Sequence, residues 1–524
     1  MKMLVSHPHP RPSLARVLCA VAGLLAAAVV AAGTATPAAA ATIEVGPDDD
    51  LTAALAELES GDELILAPGT YTLTGRVDLR ADASADSPIT VRSAEGSETV
   101  LIDGGKPIHL IDSSYWQFED LTFDNVRLRF VSEQADGFEY HARVAGNHFI
   151  GQGVFLNNAS AVELVDNHFQ DVRSLQPDVD RHAMHFVGAS SDLRITGNLV
   201  ENASADAIQA QGAVDDVVVE GNEFRVNRPH PSDDPFCSTG ENAIDIKRAE
   251  GWTIRDNYLH GFQEVPGCDA FDSTSVGGEA IVIHKHGARD FEIIDNRFED
   301  NSVHLLIAGK TCIASGTDCS GPLLTEGVRV EGNSFRSADV PGESVGVRIT
   351  PGLGIAELDD PVGPIDVSVV GNTFDGVPLV VEVNARSFPT DGGRVFTTPA
   401  GITVADNLHH GGQMRLAPEA EVESAGNEVV DGPEELRLPV TDEADSATPA
   451  TDGTDSGPPA SDRPESSRTQ SSPETAEVAA APTDGGDPGF DWAWIGIFVI
   501  AAGTLAAVAL ILRTMLTRRR GSTG

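Results

Sequence analysis

Three short stretches collect residue types that move protons or hold anions. Glu241-Asn-Ala-Ile-Asp-Ile-Lys247 carries two carboxylates and a lysine. Glu279-Ala-Ile-Val-Ile-His-Lys-His-Gly287 carries a carboxylate, a lysine and two imidazoles. Arg181-His-Ala-Met-His185 adds a guanidinium and two further imidazoles. Lysine is scarce: after Lys2 come only Lys106, Lys247, Lys285 and Lys310, so the pair in these stretches is a concentration. Lys247 becomes a base if burial and the neighbouring cations Lys285 and Arg289 lower its pKa. Lys285 or His286, with His284 beside them, can protonate a leaving oxygen. Glu241, Asp245 and Glu279 supply hard oxygens of the kind Ca2+ takes. The plain alternative is a surface ion pair between Asp245 and Lys247, and exposed turn residues at His284 and His286.

The elements that position these residues are short alternating strands. Ala183–Val187, Ala207–Gln211, Ala243–Lys247 and Ala280–His284 each alternate apolar and polar residues. Period two sends Met184, Ile208, Ile244 and Ile281 inward and the intervening residues outward. If the strands stack, one outer column reads His185, Gln209, Asp245, Val282, His304, and the next reads Val187, Gln211, Lys247, His284. His182, Asp206, Asn242 and Glu279 stand just ahead of the strands, with Arg181 and Glu241 adjacent. The insertions 229–240 and 263–275 flank this wall. His185, Gln209, Gln211, His182, Arg181 and His304 are the candidate substrate-binding residues.

Stacking is implied by a repeat. Val162-Glu-Leu-Val-Asp-Asn-His-Phe169 recurs as Leu193–Val200, Val217–Phe224, Trp252–Leu259, Phe291–Phe298, Val328–Phe335 and Val367–Phe374. Each copy is a strand, an Asp/Gly-Asn corner and an apolar residue, and weaker copies end at Asn147, Asn407 and Asn427. Asn and Gly tolerate the left-handed backbone of a tight corner. The Asn-to-Asn spacing runs from 20 to 39 residues. That variation fits a short coil with insertions, and no amphipathic helical pattern lies between the copies. The expected fold is an all-β parallel β-helix, with corner asparagines in a hydrogen-bonded ladder. A propeller would need a regular period. The helix-periodic segment Asp50–Leu58 can cap the open N-terminal end.

With these motifs in view, the chain resembles right-handed, pectate-lyase-like β-helices, and in particular polysaccharide lyases of the chondroitinase B and alginate lyase type. The resemblance rests on Gly61–Tyr71, Pro88–Arg92, the lysine strand ending at Lys247, and Ile281–Phe298 with its Lys285-His286-Gly287 turn, and covers about residues 42–340. It implies β-elimination on a uronic-acid polymer, with Lys247 as base, the Lys285-His286 turn as acid and Ca2+ as cofactor. Two departures stand out: Lys285 replaces the family's arginine, and the family's paired acidic ligands are out of register, with Asn242 and Gly240 at the matching places.

The ends read differently. Lys2, Arg11 and Arg16 precede an apolar run and Ala38-Ala39-Ala40, which predicts a signal peptide over 1–41. The β-helix is expected over 42–433 and a disordered acidic Pro/Ser/Thr linker over 434–490. An uncharged stretch predicts a transmembrane helix over 491–513, followed by a basic cytoplasmic tail over 514–524. The protein would then be single-pass and anchored in the cell membrane, with its β-helix outside the cell. Cys237, Cys268, Cys312 and Cys319 permit two disulfides, of which Cys237–Cys268 and Cys312–Cys319 is the simplest of three connectivities. A net charge of −45 excludes nucleic acid as a partner. The expected partner is polysaccharide or cell-wall glycan, met by a monomer. A non-catalytic glycan-binding or structural β-helix is the alternative to an enzyme.

Overall fold

Ten-odd repeats of strand, corner and strand wind one chain into a solenoid whose interior is a continuous apolar column. The computed structural model describes residues 40–436, apart from 74, 97–99, 104–105, 135, 174–180, 228–239, 264–277, 286, 314–323, 341, 352–357 and 386–397. The chain divides into units Met1–Ala444 and Asp445–Gly524, and all that follows concerns the first.

Each coil has three walls. Val154–Asn157 lies on the first, Ala159–Val165 on the second and His168–Gln170 on the third. The next coil fuses the first two walls into one long strand, Met184–Thr196, and the one after into Ile208–Glu220. Pairing between coils is parallel, with Met184 against Ile208 and Leu193 against Val217. The third wall forms its own sheet, with His168 against Leu199 and Phe169 against Val200. One antiparallel pairing departs from this pattern: Lys310–Ile313 meets Leu358–Val362. Inward residues such as Met184, Ile208, Ile244 and Ile281 are fully buried. Phe123, Phe149 and Phe169 stack on successive coils with ring centroids 4.8 Å apart, and Phe298, Phe335 and Phe374 do the same at 4.7 Å.

The corner between second and third walls explains the repeat. A residue with positive φ, such as Asp166 at 52° or Gly197 at 67°, precedes each asparagine. The asparagine then turns inward. From Asn147 to Asn427, each carboxamide donates to the side-chain oxygen of the asparagine on the next coil at 2.9–3.1 Å. The expected ladder is therefore present and buried.

The N-terminal cap is the helix Leu51–Ala56, whose Asp50 side chain accepts from the Ala53 N–H at 3.1 Å. Leu51 and Leu55 close the open end of the core. Six residues of helix rise only about 9 Å, well short of the roughly 30 Å of a bilayer core. No helix among the described residues is long and apolar enough to cross a membrane. This corrects the fold class, which is an all-β solenoid with one short helix, and with it the single-pass topology, the membrane partner and the cell-surface anchoring. The segments expected as transmembrane helix (491–513) and tail (514–524) lie outside the described residues, as do the linker beyond 436 and the signal segment up to 39. Cys237, Cys268 and Cys319 also lie outside them, as does the side chain of Cys312.

Candidate functional site

The first wall carries the expected outer column. Phe155 pairs with His185, His185 with Gln209, Gln209 with Asp245 and Asp245 with Val282. The column starts earlier than the sequence suggested, because Arg129 pairs with Phe155 and His109 with Arg129. It does not continue to His304. Leu306 pairs with Val282, which puts His304 two residues earlier, at the start of the strand Val303–Ile313 and level with Ala280. Its ring packs against Phe298 and Phe335, and it is fully buried. Burial pulls its pKa down to about 3. Asn301 meets its Nδ1 at 3.0 Å, and its Nε2 meets the Ser337 hydroxyl at 2.9 Å. His304 is thus part of the core, a correction to its placement among substrate-binding residues.

Asp245 is the centre of the wall. Its Oδ2 lies 3.2 Å from Lys247 Nζ and its Oδ1 lies 2.7 Å from His284 Nε2. The three side chains are 7%, 14% and 11% exposed, so this is not a solvated surface pair. A carboxylate only accepts, so His284 donates to Asp245 from Nε2. The His284 Nδ1 is buried with no hydrogen-bond partner in the structure.

A second buried carboxylate sits beside it. Asp206 is fully buried. It accepts from Gln209 at 3.0 Å and Asn242 at 2.8 Å, and lies 3.2 Å from His182 Nδ1. Asn242 pairs in turn with Glu279. The residues ahead of the strands therefore stack as expected, but as a buried polar column. Asp206 was visible in the sequence; its role as a node was not, since alternation reports direction and not depth.

Burial would lower the pKa of Lys247, but Asp245, Asp206 and Glu241 outweigh it and the net shift is upward. This corrects the expectation of a lysine poised as a neutral base: its neighbours are anions. Arg289 is not among them. It lies on the second wall in Ala288–Ile294 and pairs with Glu326 at 2.7 Å. His185 is shifted the other way. Burial, then His182, Arg127, Lys247 and Arg129, pull it down to about 2. It is neutral at any working pH and packs edge-on against Phe155 and His182.

Arg127 and Arg129 stand over the Phe155 ring at 5.0 and 4.5 Å. Cations on an aromatic face hold their position while keeping polar edges outward. With Lys247, which Asp245 pairs, they are cations of this wall. Leu128–Val131 carries the same alternation as the later strands, which was the available signal for them. Gln211 is exposed at the end of its column, and Arg181 and Glu241 are half-buried. The side chains of Lys285 and His286 lie outside the described residues.

The Ca2+ expectation requires Glu241, Asp245 and Glu279 to converge. Among the described residues no three His, Cys, Asp or Glu side chains gather as a metal site. Both oxygens of Asp245 are already engaged by Lys247 and His284. This donor set does not fit the ion.

Against known proteins, residues 97–352 match the family described as right-handed β-helix region. A pectate lyase, PEL9, from Emericella nidulans is 27% identical over 144 residues, 24% of this chain and 35% of that protein. The match thus spans about a third of that relative's length. Among solved structures, a mannuronic-acid-specific family 6 polysaccharide lyase from human gut microbiota is 17% identical, covers 75% of this chain and 91% of its own, and gives a TM-score of 0.40. The A-module of the Azotobacter vinelandii mannuronan C-5 epimerase AlgE6 is 12% identical over 71% of this chain and 91% of its own, with a TM-score of 0.40. Likeness at these identities concerns the fold. The class is a right-handed parallel β-helix, and its resemblance to pectate-lyase-type polysaccharide lyases is distant.

Proposed function

We propose that the first wall binds an acidic polysaccharide and cleaves it by β-elimination. The observation that carries this reading is Asp245, which holds an ammonium and an imidazole side by side in a buried strip. The pectate lyase relative supports the same substrate class.

The chemistry follows from charge. The proton at C5 of a uronate is acidic only when the adjacent carboxylate is neutralised. Lys247, held protonated by its anionic neighbours, is suited to that task. His284, oriented through Nε2 by Asp245, takes the C5 proton on Nδ1 in its neutral form, which requires the docking polymer to uncover that buried atom. The C5–H pair becomes the C4–C5 double bond, the C4–O bond breaks, and the leaving oxygen collects a proton. Lys285, next to His284 in the strand Glu279–Lys285, is retained as the donor. Neutral His185 and the arginines beside Phe155 bind neighbouring sugars.

Lys247→Arg separates the two roles available to Lys247. Arginine keeps the charge but cannot act as a base. The full chain would be given polygalacturonate and alginate, following the ultraviolet absorbance of unsaturated products. Lys247→Arg should retain most turnover, Lys247→Ala should lose it, and His284→Ala should lose roughly 10²–10⁴-fold. An inactive Lys247→Arg beside an active His284→Ala would return the base to Lys247. Binding without product by the unmodified chain, with or without added Ca2+, would leave a glycan-binding protein.

A further inference from the structure

The second wall holds a cavity of about 270 Å³, lined by Gln117, His141, Arg143, Glu163, Asp192 and Arg194. It belongs to different strands from the candidate site: Trp116–Glu119, Phe138–Ala145, Ala159–Val165 and the second half of Met184–Thr196.

The backbone beneath it departs from the pattern of the later coils. From Tyr115 to Gly401 the coils enter the second wall through a residue of positive φ. In the later coils these are Asp192, Asp216, Gly251, Asp290, Gly327, Asp366 and Gly401, types that tolerate this conformation. In the three coils around the cavity they are Tyr115 at 59°, His141 at 46° and Ala161 at 56°. At His141 the pairing with the next coil also shifts register, between Glu139 and Ala142. The bulge re-aims the His141 ring, which stacks on Tyr115 with centroids 4.8 Å apart and planes 17° apart. Residues held in a disfavoured conformation where Asp or Gly would serve mark a local requirement other than folding.

We infer that this cavity is a binding site for a neutral sugar ring, separate from the first-wall site. Its volume lies just under the roughly 300 Å³ at which small-molecule sites begin, enough for one ring at a time. Two guanidiniums, two carboxylates and one carboxamide line it. Successive coils therefore present donors and acceptors in alternation, with Gln117 paired to Arg143, Arg143 to Glu163 and Glu163 to Arg194. Hydroxyls, which both donate and accept, fit such a lining. A carboxylated sugar meets Glu163 and Asp192 as readily as an arginine. Arg143 is held loosely, 3.4 Å from Glu119 and 3.9 Å from Glu163, and so has donors to spare. The Tyr115–His141 pair supplies the apolar surface on which a sugar ring can rest.

The test is calorimetric titration of the full chain with cellotetraose, maltotetraose and mannotetraose, beside tetragalacturonate. At least one neutral tetramer should bind, and His141→Ala and Arg194→Ala should each weaken it about tenfold, as loss of one good contact does. His141→Gly should weaken binding equally while raising the melting temperature, because glycine relieves the positive φ. Elimination activity on the first wall should not change in these variants, so failure here leaves the lyase reading standing. The inference is overturned if no neutral tetramer binds, if binding survives both alanine variants, or if tetragalacturonate alone is lost with them.

Discussion

Asn257 closes the corner of the coil that carries Asp245 and Lys247, and its loss can be worked through atom by atom. Its side-chain oxygen accepts from Asn222 N and Asn222 Nδ2, both at 2.9 Å. Its Nδ2 donates to Val219 O at 2.9 Å and to Asn296 Oδ1 at 2.9 Å. Asn257→Ala removes all four. Asn222 Nδ2 keeps Ile195 O and Glu220 O, and Asn296 Oδ1 keeps the Asn257 N–H. The Asn222 N–H is left buried with no acceptor. An orphaned buried N–H costs about 1–3 kcal/mol, and each neutral hydrogen bond lost elsewhere about 1 kcal/mol. The sum is about 4–6 kcal/mol, a large part of the roughly 5–15 kcal/mol that holds a domain together. Asn427→Ala at the ladder's end is the control. Asn427 also accepts two bonds, from Asn407 N and Nδ2, but it is half-buried, and water can replace it at about 1 kcal/mol. Urea unfolding followed by circular dichroism measures both. Equal losses in the two variants, or less than about 1 kcal/mol for Asn257→Ala, would refute the view that a continuous dry ladder holds the corners.

Two further perturbations probe the same solenoid. Gly197 and Gly221 share φ near 66°, but a Cβ at Gly197 would overlap Asp166 Oδ1 whereas one at Gly221 meets nothing. Gly221→Ala should cost only the left-handed penalty of roughly 1–2 kcal/mol, and Gly197→Ala that penalty plus the small cost of swinging the exposed Asp166 carboxylate aside; a Gly197→Ala that melts above Gly221→Ala would count against the stacking of corner residues. Acid should weaken the third wall. Burial would raise Glu201, but Arg225 and His168 hold it lowered, and His260 and Arg225 hold Glu223 lowered against burial. Glu299 is likewise lowered, by Tyr258 and Arg297 against burial. A carboxylate depressed in the folded state contributes stability fully present above its ordinary value near 4.5 and lost as pH falls through the folded value. Melting temperatures from pH 7 to 3 should drop below that value, and less so in Arg225→Met.

The solenoid was legible because its grammar is local. A strand of period two, a left-handed Asp or Gly and an inward Asn each leave a mark within a few residues, and the recurring Asn fixes where each coil closes. The outer column from His185 to Val282 followed from the same alternation. Three features were not legible. Depth was hidden, since alternation says that Asp245 points outward but not that it is 5% exposed. The phase of His304 was lost because the strand Val303–Ile313 begins at the corner, so the register places Leu306, two residues later, against Val282. The sign of the Lys247 shift depended on which charges converge from other coils. The sequence offered Lys285 and Arg289 as neighbours; the fold brings Asp245, Asp206 and Glu241.

That last point bears on how so acidic a chain can take an acidic polymer. A total charge of −45 suggests repulsion, but total charge acts only over distances that salt leaves unscreened, about 8 Å at physiological ionic strength. Within that range of the first wall the relevant groups are few. Arg127 and Arg129 are fixed on Phe155, and Lys247 is fixed by Asp245. Parallel coils lie about 4.8 Å apart. The column Arg129, Phe155, His185, Gln209, Asp245 therefore spans four steps, about 19 Å. Cations thus stand at both ends of a strip long enough for several sugars, with neutral His185 and Gln209 between them. Asp245 offsets the charge of Lys247, and Asp206 and Glu241 lie on the same side of the balance, so the arginine end is the more cationic end of the strip. A buried carboxylate that holds its cation in place shapes the strip without presenting negative charge to the polymer.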